Sequence, residues 1–188
     1  MIDLTKLVTE TRNPNTMDLD QMTPLELVSV MNQEDLNVVA GVKEVLPQVA
    51  QAIEWAVSSL EAGGRIVYFG AGTSGRLGVL DAVECPPTFG VSPDVVVGLI
   101  AGGEKAFVRA VEGAEDSLEL CEEEFKKIGL NKNDIAIGIA ASGRTPYVIG
   151  GLRYARSLGC KTVAIACNKG SEVGKEADRG QAILYGTT

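Results

Sequence analysis

From Arg65 onward the apolar positions fall in short runs that end in small polar residues and then pass into helical spacing. The runs predict strands at Arg65–Gly70, Val95–Ala101, Ile135–Ala140 and Thr162–Cys167. None of them alternates with a polar face, as expected of strands covered on both sides by helices. Helical spacing between them predicts helices over Gly75–Val83, Glu104–Ile128 with a break near Gly113, and Pro146–Leu158, the last capped by Thr145 with Pro146 at its first position. Upstream, Thr23-Pro24-Leu25-Glu26 reads as a capping box with proline at the first helical position, opening a short helix to about Asn32. A second helical stretch, marked by Val38, Val42, Val45, Val49, Ile53 and Val57, runs to Gly63-Gly64 and is expected to kink or split at Pro47. The order is βαβ. It predicts a three-layer, doubly wound α/β domain with a parallel sheet over residues 63–188, entered through an N-terminal helical arm over residues 1–62.

Composition narrows the functions such a domain can carry. Hydrophobic residues make up 45% and charged residues 22% of the 188, a globular balance. The net charge of −8 argues against nucleic acid as the main partner, since a polyanion needs a basic face. The chain has no histidine, which removes Ser-His-Asp and Cys-His catalysis and the histidine-based zinc sites. Cys85, Cys121, Cys160 and Cys167 form no C-x-x-C pair, so packed, reduced thiols are expected and no metal site is signalled. The leader Met1–Met22 carries Asp3, Glu10, Asp18 and Asp20 without an apolar stretch, and no later run is long enough to span a bilayer. A soluble, cytoplasmic protein is the expectation.

Chemistry concentrates where strands end. Ser74-Gly75-Arg76 and Ser142-Gly143-Arg144 each follow an apolar strand and precede a helix, on the sheet edge where open α/β folds bind ligands. Gly70-Ala71-Gly72-Thr73-Ser74-Gly75 matches the dinucleotide fingerprint G-x-G-x-x-G, but the next strand ends Leu99-Ile100-Ala101-Gly102-Gly103 without the acid that would hold a ribose. A triphosphate loop with its lysine is absent as well. The hydroxyls of Thr73, Ser74, Ser142 and Thr145, with amides at two helix starts, suit a single phosphate monoester. Helix capping is the competing use of those hydroxyls. Arg76 and Arg144 are open between ligand contacts and ion pairs with nearby acids.

Without histidine, acid–base work falls to carboxylates. Glu84 stands just before Cys85-Pro86-Pro87, which is expected to stop the helix and fix the backbone behind it. Glu112, Glu115, Asp116 and Glu119 recur at intervals of three and four, which describes one crowded helical region. That region is a solvated acidic face unless it fronts the ligand, where neighbouring carboxylates would raise one another's proton affinity. Spacing does not choose Glu115 over its neighbours.

Taken as longer runs, these residues resemble a known family. Gly70–Gly78, Asp81–Val91, Gly98–Glu104, Val111–Asp116 and Gly138–Val148 are similar to segments of the N-acetylmuramic acid 6-phosphate etherases, and the likeness extends from near Asn13 to about Ala177. The resemblance implies a sugar isomerase (SIS) fold that binds a phosphosugar, usually as a homodimer with pockets near the subunit interface, and no metal or redox cofactor. It implies cleavage of the lactyl ether to N-acetylglucosamine 6-phosphate and D-lactate, by elimination and then hydration. Glu84 matches the proton donor to the departing lactate and Glu115 the second acid–base residue, here assigned to the proton at C2. Thr73 and Ser74 match the first phosphosugar loop, Ser142, Gly143, Arg144 and Thr145 the second, and Glu112 a sugar-hydroxyl contact. Arg179–Thr188 departs from the family pattern, which leaves the α/β domain short of part of its sheet and dimer surface, or with a substitute edge. A phosphosugar sensor without catalysis is the main rival reading, and an aldose–ketose phosphate isomerase the third.

Overall fold

The structure, a computed structural model, describes residues 8–183. Three single 3₁₀ turns, at Val8–Glu10, Pro14–Thr16 and Leu19–Gln21, lead into helix α1 (Pro24–Glu44). The capping box is present: Thr23 Oγ1 accepts from the Glu26 amide, and the Glu26 carboxylate accepts from the Thr23 amide at 2.8 Å. Helix α1 does not end near Asn32 but continues for three further turns, because nothing at Asn32-Gln33 supplies a stop stronger than helical propensity. The break comes at Val45, after which α2 (Leu46–Glu61) starts with Pro47 in its first turn, where a missing amide costs nothing.

Strands β1 (Ile66–Gly70), β2 (Val96–Ile100), β3 (Ile135–Ile139) and β4 (Lys161–Ala166) lie within a residue or so of the expected runs. A fifth strand, β5 (Arg179–Ile183), pairs with β4, so part of the divergent tail forms a sheet edge; residues 184–188 lie outside the described part. The sheet is wholly parallel with order β2-β1-β3-β4-β5. This is the doubly wound arrangement, and its direction of winding switches between β1 and β3.

Helix α3 (Gly72–Phe89) and α2 cover one face, where Gly78 of α3 lies against Tyr68, and Trp55 of α2 packs with Ile135, Ile137 and Val163. The other face carries α5 (Leu120–Lys127), α6 (Pro146–Ser157) and α7 (Glu172–Glu176). There Phe69 meets Phe125 edge-on at 5.0 Å between ring centroids, and Tyr147, Val148 and Leu152 are fully buried. Edge-to-face aromatic packing adds about 0.5–1.5 kcal/mol beyond the area it buries.

Two helical expectations need correction. Helix α3 does not stop before the prolines: Pro86 and Pro87 lie inside it, and it ends at Gly90 in the left-handed region at φ 67°. Proline's fixed φ is helical, so two prolines in the last turns forfeit donors to the carbonyls of Ala82 and Val83 without ending the helix. The break expected near Gly113 within Glu104–Ile128 is present, between a short α4 (Glu104–Val108) and α5 with a 3₁₀ turn at Ala114–Asp116, but the one crowded helical region expected for the acids is not. Gly113, at φ 74°, breaks the path, so Glu112, Glu115, Asp116 and Glu119 do not share a helical face.

At the amino edge of the sheet Asp134, fully buried, accepts from the Arg65 amide at 2.9 Å and from the Arg65 guanidinium at 3.1 and 2.7 Å. The Asn131 amide donates to it at 3.0 Å, and Arg65 also reaches the Ile128 and Gly129 carbonyls. Removing one partner of a buried ion pair costs about 3–5 kcal/mol. Arg65 keeps 22% side-chain exposure, so Asp134→Ala is expected at the low end of that range, read by urea denaturation.

Between α6 and α5, Tyr147 donates from its hydroxyl to Glu124, whose pKa is raised first by burial and partly restored by that bond. A carboxyl whose folded pKa lies above its unfolded value, near 4.5, weakens the fold as pH rises past that value. Tyr147→Phe removes the offset and is expected to destabilise more at pH 7 than at pH 4, measured by denaturation at both.

Candidate functional site

The two strand-end loops leave the sheet side by side. Gly70 and Ile139 are register partners, so the loop after β1 and the loop after β3 start level on neighbouring strands, about 4.8 Å apart. Their helices depart to opposite faces, opening the crevice in which such folds place ligands.

In the first loop the glycines serve packing. A Cβ on Gly75 would stand 2.5 Å from the Gly70 carbonyl oxygen, and one on Gly70 would stand 2.8 Å from that of Ile139. Strand and helix backbones touch here, which accounts for the fingerprint without a dinucleotide. Thr73 and Ser74 occupy the first turn of α3, whose first amides have no partner within the helix and whose dipole directs positive potential into the crevice. Among the described residues Arg76 pairs with no acid. Its guanidinium donates to the carbonyls of Ala106 and Phe107, both at 2.8 Å, and ties the end of α4 to α3.

Beside this loop is a cavity of about 210 Å³ lined by Ala71, Gly72, Arg76, Ala101, Val111, Glu112 and Glu115, among others. The Arg109–Gly113 loop and the turn after it, not a helical face, carry Glu112 and Glu115 there. Asp116 and Glu119 do not line it.

In the second loop Gly143 sits at φ 73°, its amide donating to Ala140 and its carbonyl accepting from Val173, both at 2.9 Å. Ser142 is half-buried, and its carbonyl accepts from Asn168 Nδ2 at 3.1 Å. Arg144 lies 3.7 Å from the Glu10 carboxylate. Thr145 precedes α6 at the cap position, but its side chain makes no cap bond, contrary to the expected capping. None of these four residues lines the cavity that holds Glu115.

Glu84 is exposed on α3, about 18 Å along the helix from its start. One chain therefore does not bring Glu84 to Glu115. Glu84 shares an outward helical face with Leu77 and Leu80, which are 55% and 50% exposed. Asn168 was not singled out from the sequence, although it follows β4 on the same edge as the other loops. Its signal was its position at a third strand end. Among the described residues no cluster of acids and cysteines is placed to hold a metal ion, and no helix is long and apolar enough to cross a membrane.

The family described as the glucokinase regulatory protein N-terminal SIS domain matches residues 48–156. A curated relative from Cronobacter sakazakii, named N-acetylmuramic acid 6-phosphate etherase, is 59% identical over 177 residues, 94% of this chain and 60% of the relative. One of the same name from Listeria monocytogenes serotype 4b is 59% identical over 93% of this chain and 59% of its own length. The chain thus spans about 60% of the curated relatives it matches. Among solved structures, a phosphoheptose isomerase from Francisella tularensis superposes with a TM-score of 0.65 at 21% identity, covering 89% of this chain and 88% of that one. The sugar isomerase domain of an RpiR transcription factor from Sphaerobacter thermophilus gives 0.57 at 16% identity, over 84% and 73%. These two show the α/β fold.

The close backbone approach in the first loop is directly testable. Gly75→Ala is expected to cost about 1–3 kcal/mol through overpacking against the Gly70 carbonyl, measured as a lowered urea midpoint.

Proposed function

The chain belongs to the family of the glucokinase regulatory protein N-terminal SIS domain, and we propose that it is the phosphosugar-binding and acid–base portion of an N-acetylmuramic acid 6-phosphate etherase. The observation that carries this reading is the shared cavity of Glu112 and Glu115 beside the amide-rich start of α3. A phosphate monoester would take the crevice between the first loop, with Thr73 and Ser74, and the second, with Ser142, Gly143, Arg144 and Thr145. Glu112 would then meet sugar hydroxyls, and Glu115 would face the carbons beyond.

In the proposed reaction the sugar opens to its aldehyde form, which acidifies the proton at C2. Glu115 takes that proton, and a double bond forms between C2 and C3 as the C3–O bond breaks. Glu84 gives its proton to the departing lactate oxygen. Water then adds across the double bond: its hydroxyl goes to C3 as Glu84 takes its other proton, and Glu115 returns its proton to C2, so ether and water become alcohol and lactate with both carboxyls restored. Each positioned acid or base typically contributes about 10²–10⁴-fold.

Glu84 is remote from the cavity within one chain, and the cavity is smaller than the about 300–1,000 Å³ usual for small-molecule sites. We therefore propose a homodimer joined in part through the outward face of α3, where exposed Leu77, Leu80 and Val83 surround Glu84. The same remoteness favours a second reading, a phosphosugar sensor that uses the loops without the acid–base pair.

D-lactate release from N-acetylmuramic acid 6-phosphate decides between them. The purified chain is expected to release lactate, and Glu84→Gln and Glu115→Gln are each expected to slow release by at least about 10²-fold while keeping affinity for the phosphosugar. A folded chain that binds the phosphosugar and releases nothing would support the sensor.

A further inference from the structure

The leader touches the second loop at Thr9 and Glu10. Asn168, 5% exposed, uses the two hydrogens of its Nδ2 to hold both the Ser142 carbonyl at 3.1 Å and Thr9 Oγ1 at 3.2 Å. One residue further along the leader, the Glu10 carboxylate stands 3.7 Å from the Arg144 guanidinium. Both groups are about a third exposed, Arg144 at 34% and Glu10 at 40%, so a soluble anion can reach the pair. The leader is therefore fixed at Thr9, and a carboxylate occupies the one cation of the second loop.

We propose that Glu10 is a specificity-determining residue of the phosphosugar site: its carboxylate neutralises Arg144 until a dianionic phosphate displaces it. The inference rests on the phosphosugar reading above and adds a residue outside both loops. An exposed carboxylate–guanidinium pair is weak, so it yields to a stronger ligand. A phosphate monoester carries about −1.5 to −2 charge and three acceptor oxygens, where a carboxylate carries one charge and two. It competes successfully for Arg144, whereas a singly charged anion gains nothing by the exchange. Because Asn168 keeps Thr9 in place, only the Glu10 side chain has to move, releasing the Thr9 hydroxyl that donates to it at 3.4 Å, and the ordered loop is retained. Glu10 thus trades some affinity for selectivity toward dianions.

Calorimetric titration of the full chain with N-acetylglucosamine 6-phosphate, and with unphosphorylated N-acetylglucosamine as control, tests this. Glu10→Gln is expected to lower Kd for the phosphorylated sugar about two- to fivefold. The gain is expected to vanish in an Arg144→Gln background, because the cycle isolates the pair. An unchanged Kd in Glu10→Gln, or a gain that persists without Arg144, would overturn the role of Glu10 while leaving the phosphosugar reading intact. Wild-type chain that binds both sugars equally would overturn the phosphosugar reading, and the role of Glu10 with it.

Discussion

The register between β1 and β3 is the constraint on which the candidate site depends, and Asp134 fixes it from the far edge of the sheet. Its carboxylate accepts from the Arg65 amide just before β1, while the Ile135 amide at the start of β3 donates to the Arg65 carbonyl at 2.9 Å. With Ile66 opposite Ile135 at one end, Gly70 falls opposite Ile139 at the other. The two central loops emerge level because of a buried ionic knot that touches neither of them. A slip of one residue would exchange the faces of every β1 side chain, moving Phe69 out of its aromatic cluster and Tyr68 into it.

Burial then divides the labour between the two faces. Phe69, Phe125, Tyr147 and Leu152 build a closed core beneath α5 and α6, whereas the side under α2 and α3 is more open. Ile53, Val57, Leu77 and Leu80 remain more than a third exposed along those two helices. The stable core and the proposed contact surface thus lie on opposite sides of one sheet, with the crevice at the edge where they meet.

Much of this was legible in the sequence, and the misreadings have physical causes. Apolar runs closed by small residues located four strands, because a strand buried on both faces leaves no other composition open to it. The Thr23–Glu26 capping box was legible because both partners are local. Pro86 and Pro87 misled because proline forbids a donor rather than a helical φ, and two lost donors near a helix end are affordable. The acidic periodicity around Glu115 misled because left-handed Gly113 cuts the helix that the spacing assumed. Asn168, and the ties from Thr9 and Glu10, are contacts between distant parts of the chain that no local pattern records. The approach of Gly75 to Gly70 resembled a cofactor signature, since tight strand–helix packing and phosphate binding require the same residue at the same turn.

The prolines of α3 carry one more consequence, for amide exchange along that helix. Exchange protection normally fades smoothly toward a helix end as each amide in turn loses its neighbours. Two consecutive residues without amide hydrogens interrupt that gradient just beyond Glu84, so opening of the Gly90 end has no continuous ladder along which to travel back. The turn carrying Glu84 is expected to respond to the helix body and not to its frayed tip.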